Sequence, residues 1–177
     1  MSMTFRELWT SVHGMIFGAL FLLAFAGGLA GLYSMRPELL TAEGIAERVK
    51  RVKLGTGLMA VVAWVTVITG TYIIYPWYRA PAPEGLADLA AYPRSFLKAD
   101  PAIAGWHSFG MEWKEHVAWL APILATVVFY IVLKYGTQLA ENRQMRNATM
   151  VIYMLAFASA AIAGLFGALI TKAAPVM

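Results

Sequence analysis

Four long uncharged apolar runs are separated by polar stretches along the chain: Leu8 to Met35, Leu54 to Tyr78, His116 to Leu133 and Asn147 to Thr171. Each reaches the roughly 18 to 25 residues that a helix needs to cross about 30 Å of hydrocarbon at ~1.5 Å per residue. The pattern predicts an all-α integral membrane protein, a four-transmembrane-helix bundle forming a single domain over residues 1–177. Its helices are expected at about 8–35, 54–78, 113–135 and 147–171, with a long connection over 79–112.

Local signals refine these boundaries. Thr4 and Glu7 have capping-box spacing and start the first helix, and Arg36-Pro37 ends it. Thr41 is a cap for the second helix, with Glu43 in its first turn and Glu47 paired to Arg51 at i,i+4, so this helix begins well before its apolar run. The third helix starts near Gly110, and Pro122 predicts a kink about one turn beyond His116. Asn142 caps the fourth. Gly14 with Gly18, Gly27 with Gly31, and the series Ala156, Ala160, Gly164, Gly167 read as small-residue packing stripes. Pro81, Pro83, Pro93 and Pro101 divide the long connection, which is expected to form an ordered cap with a helical turn near Gly85 to Ala91. Ala24-Phe25-Ala26 resembles a leader cleavage site, but the preceding run is too long and too weakly basic, so the first helix is read as retained.

Composition agrees with the membrane class: 60% of the residues are hydrophobic and 14% charged, too little polar surface for a water-soluble globule of this size. The net charge of +4 suggests nucleic acid only until the charges are placed. Arg36, Arg48, Lys50, Arg51 and Lys53 lie in the first connection with three acids, and Lys134, Arg143 and Arg146 lie in the third with one. The remaining six basic and six acidic residues balance. The positive-inside rule therefore puts these two loops in the cytoplasm and both termini with the long connection outside, and no nucleic-acid partner is needed. The absence of cysteine excludes disulfides and thiolate-held clusters.

Two histidines carry the candidate chemistry. His13 lies four residues past Trp9 and His116 three past Trp113, on helices running in the same direction, so both are expected at one depth beneath the outer face. An ionisable side chain there is costly and points to function. Two imidazoles at one level in a bundle core suit six-coordinate haem iron; the bland reading is that each merely hydrogen-bonds a neighbour. His107, nine residues before His116, falls nearer to water and is read as a surface residue or a quinone or propionate contact. Arg79, Arg94 and Lys114 are further candidates for propionate or quinone contacts.

In its four spans and in His13 and His116 the chain resembles the small four-helix membrane b-type cytochromes and the haem-binding anchor subunits of respiratory complexes. That resemblance implies one haem b near the outer face, with His13 and His116 as iron ligands and no catalysis by the chain alone. It also implies a quinone at the lipid boundary and a place in a larger redox complex. The partners it implies are other membrane subunits, an outer-side electron-transfer protein and the lipid bilayer, in a bacterial cytoplasmic membrane. The alternative is a cofactor-free structural or assembly subunit.

Overall fold

The structure, a computed structural model, describes residues 3–176. All regular structure among them is helical. Four helices are long and apolar enough to cross a membrane: Phe5–Tyr33, Ala42–Arg79, Trp106–Tyr135 and Arg143–Ala173. These are the first to fourth spans. Large apolar side chains are exposed along all four, among them Leu23, Leu54, Tyr130 and Leu155. On an integral membrane protein such a surface faces lipid, which solvates it as well as a protein interior would.

The local signals act as the physics requires. Thr4 Oγ1 accepts from the Glu7 N–H and Glu7 reaches back to the Thr4 N–H. Thr41 Oγ1 accepts from Gly44 N and Asn142 Oδ1 from Met145 N. Glu47 pairs with Arg51 at 3.2 Å. The third span starts earlier than 113, and its apolar part is broken at Val117–Trp119, a turn between helical segments. Pro122 accounts for the break: it offers no N–H to Ala118, and its ring crowds that residue's carbonyl. The long connection also differs from expectation. Its helix is Pro93–Ala99, opened by a proline at its first turn, whereas 85–91 form only turns and bends.

The chain divides into two compact units, one of Met1–Gly18, Val65–Trp119 and Ala161–Met177, the other of Ala19–Trp64 and Leu120–Ala160. Each takes a segment of all four spans. The second unit is held by aromatic packing over glycines. Tyr153 is fully buried, donates its hydroxyl to the Ala24 carbonyl at 3.1 Å and lies against Phe25, which stacks on Phe157 at 4.0 Å. A Cβ at Gly28 would collide with the Tyr153 hydroxyl, one at Gly31 would lie 2.5 Å from Val52, and one at Gly57 2.9 Å from Phe129. Gly28, Gly31 and Gly57 are thus close-packing glycines, as is Gly136, where a Cβ would lie 2.7 Å from Val49. Gly14, Gly18 and Gly27, from the expected stripes, meet nothing within 4 Å. Periodicity marks a glycine as small; it does not say which side of the helix has a neighbour.

The first unit contains a core of Tyr78, Leu97, Met111, Ile170 and Ala174. The helix Pro93–Ala99 contributes Leu97 to it and so ties the long connection to the spans. Five of the six tryptophans, Trp9, Trp77, Trp106, Trp113 and Trp119, belong to this unit.

Candidate functional site

All three histidines belong to the first unit, which is also where the helices depart from α geometry. The segments Val12–Ile16, Gly70–Ile74 and Trp106–Met111 are π-helical. Insertions of this kind are rare, recur at functional sites and turn side chains away from the register of an unbroken helix. His13 and His107 lie within two of them and Gly70 opens the third.

His13 is half-buried and turns its Nδ1 to Thr69 Oγ1 at 3.4 Å. Thr69 spends its single proton on its own helix, donating to the Val65 carbonyl at 2.7 Å. Its oxygen is therefore available as an acceptor, for which the His13 Nδ1 would carry the proton. The neutral ring keeps its lone pair on Nε2. Gly70 makes this placement available, since a Cβ there would lie 2.8 Å from His13 Cε1.

His116 reaches the same tautomer by another route. Its Nδ1 lies 2.9 Å from the Glu112 backbone carbonyl, which can only accept, and 3.6 Å from the Glu112 carboxylate. A ring held through Nδ1–H on a carbonyl or carboxylate, with Nε2 free, is the usual state of a metal-binding histidine. The His116 side chain is 70% exposed. Lys114 on the same helix points the other way: its ammonium donates to the Ala163 carbonyl of the fourth span at 3.3 Å and passes over Gly167. Two residues further and about 200° round the helix, His116 faces outward from the unit. The sequence places both rings in a bundle core; His116 lies on the flank instead.

His107 differs from both. It is buried, and its Nδ1 meets the Tyr78 hydroxyl at 2.9 Å. It is not the surface residue that its offset from His116 suggests, because the third span begins at Trp106 and packs His107 against the end of the second. Arg94 is close enough for its charge to act on both Tyr78 and His107. The Arg94 Nε–H is buried without a hydrogen-bond partner, as are the indole N–H groups of Trp77 and Trp113 and the Thr10 hydroxyl. Arg79 is engaged with Glu115 at 3.5 Å and lies over the Tyr75 ring.

The first unit therefore holds two imidazoles with prepared Nε2 atoms and several buried donors lacking acceptors. Searches against protein-family models, curated proteins and solved structures find no match to this chain. Among the described residues no three His, Asp or Glu side chains gather to hold a bare metal ion.

The sequence does not mark the partner of His13. Thr69 and Gly70 stand out there only as polar and small residues in an apolar run, and nothing in their spacing joins them to a histidine 56 positions earlier. The Glu112 to His116 spacing of four residues is readable as a helical contact.

Proposed function

We propose that this chain is a membrane electron-transfer subunit of a larger respiratory or photosynthetic redox complex, and that it holds one haem b through His13 and His116. The observation that supports the reading is the setting of the two rings, each with Nδ1 turned to a protein oxygen, an arrangement that leaves Nε2 for another ligand. Two such donors suit haem in particular, because the porphyrin supplies the remaining four ligands. When bound, haem with both axial positions filled supplies one-electron transfer without an open site for oxygen. His116 faces outward, so a haem reached by both rings would lie on the flank of the helices. The unpartnered Nε–H of Arg94 suits a propionate carboxylate better than Arg79, which already has Glu115, or Lys114, which is turned to the fourth span. In this reading His107 orders Tyr78 beside a quinone. The membrane is the bacterial cytoplasmic membrane, with an outer-side electron-transfer protein as the exchange partner.

Gly70→Ala tests the role of His13. The added methyl displaces the His13 ring from Thr69, so the low-spin haem absorbance of the purified protein is expected to fall severalfold while helix content by circular dichroism is unchanged. Gly14→Ala, which adds a methyl where nothing lies within 4 Å, should leave the spectrum as it is. Equal spectra for the two variants remove His13 from the site.

The charge distribution supports an orientation with residues 36–53 and 134–146 in the cytoplasm and both termini outside. Single cysteines at Glu43 and Ala90 are expected to react with a membrane-impermeant maleimide from opposite sides of sealed vesicles. Reaction from one side contradicts this orientation.

A further inference from the structure

The end of the second unit that carries Tyr33 and Arg143 has a cleft of about 420 Å³ whose lining includes Tyr33, Arg36, Glu38, Arg143, Arg146 and Met150. Tyr33 ends the first span and Arg143 begins the fourth, so the cleft opens where apolar helix gives way to polar chain, the level of lipid headgroups. Three guanidinium groups face one carboxylate. Arg146 is 6% exposed; its Nη1 donates to the carbonyls of Leu139 and Ala140, both at 2.9 Å, and its Nε–H is buried without a partner. Arg36 is steadied by its Nε bond to the Tyr33 carbonyl at 3.0 Å and by the Tyr33 ring, 4.2 Å below the guanidinium.

Arg143 and Arg146 also stand in the first turn of a 31-residue helix that has no acid there. This is the positive end of the helix dipole, where cations are unfavourable and an anion is welcome. A surplus of positive charge and a helix N-terminus thus meet at one cleft, whose lining includes the buried Arg146 with its unpartnered Nε–H. Met150 adds an apolar wall, which inorganic phosphate would not use and the start of an acyl chain would.

We propose that this cleft binds the phosphate of an anionic phospholipid, its headgroup between Arg36 and Arg143 and its chains along the apolar wall at Met150. Basic pockets among membrane helices are suited to such headgroups through charge-assisted, bidentate hydrogen bonds. The inference is independent of the haem reading.

The test is native mass spectrometry of the full-length protein titrated with phosphatidylglycerol, phosphatidylcholine or inorganic phosphate. Phosphatidylglycerol is expected to bind about tenfold more tightly than phosphatidylcholine. Arg36→Gln with Arg143→Gln should remove that preference, whereas Lys50→Gln with Arg51→Gln should keep it. Arg146 is left intact because it holds two backbone carbonyls. Equal binding of the two lipids, or a preference that survives the Arg36 and Arg143 changes, overturns the proposal. A preference lost equally in the Lys50 and Arg51 variant shows diffuse surface charge and also overturns it. Inorganic phosphate binding as tightly as phosphatidylglycerol would make free phosphate the ligand and remove the lipid.

Discussion

If the chain carries the proposed haem, His116→Ala is expected to abolish its low-spin spectrum, and His13→Ala to convert or abolish it. Each change removes an imidazole whose Nδ1 lies at a protein oxygen, the Glu112 carbonyl for His116 and the Thr69 hydroxyl for His13. Neither leaves another histidine able to substitute, because His107 is buried with its Nδ1 on Tyr78. With one of the two imidazoles gone the proposed haem would lose half of its protein ligands, and a change of about tenfold or more in low-spin absorbance is expected at fixed protein concentration. His107→Ala should retain the low-spin spectrum while destabilising the packing around Tyr78. Loss in His116→Ala with an unaltered spectrum in His13→Ala would place the second axial ligand on another subunit, an outcome that the outward direction of His116 makes specific enough to look for.

The largest effect on folding is expected from Gly28→Leu. A Cβ at Gly28 already collides with the Tyr153 hydroxyl, and Tyr153 cannot withdraw easily because it is fully buried against Phe25. Displacing it also breaks the bond to the Ala24 carbonyl and leaves a buried hydroxyl unsatisfied. Overpacking and the lost bond together amount to a loss on the order of 3 kcal/mol. Thermal unfolding in mild detergent should show a midpoint many degrees lower, or no folded protein. Gly27→Leu adds the same volume one residue away, where nothing lies within 4 Å, and should unfold like the parent chain. Similar losses in both would mean that helix propensity rather than packing sets the effect.

Much of the fold is legible from hydropathy because the bilayer imposes one dominant constraint. A run of apolar residues long enough to cross must be helical, since no water satisfies the backbone otherwise. Caps are legible for a similar reason: Thr4 with Glu7, Thr41 and Asn142 act over three residues, and their chemistry needs nothing distant. The proline break before Leu120 is local as well. What the pattern does not carry is rotation about each helix axis. Gly28 and Gly31 pack where the stripe read from Gly27 and Gly31 is half right, and Lys114 points to the fourth span although its charge reads as interfacial. His116 faces outward because it lies two positions from Lys114 on one helical segment, and neither rotation can be fixed until the neighbouring spans are known. The π-helical segments compound the problem, since each shifts the register of everything beyond it and has no reliable sequence mark. His13 with Thr69, and His107 with Tyr78, are contacts between spans of this kind.

Haem content of the purified wild-type chain tests the central claim most directly. The protein is extracted from membranes in mild detergent, and its pyridine haemochrome is measured against protein concentration. One b-type haem per chain is expected, low-spin in the visible spectrum of the untreated protein and reducible by dithionite. A purified, folded chain that carries no haem and takes up none when haemin is added would contradict the account.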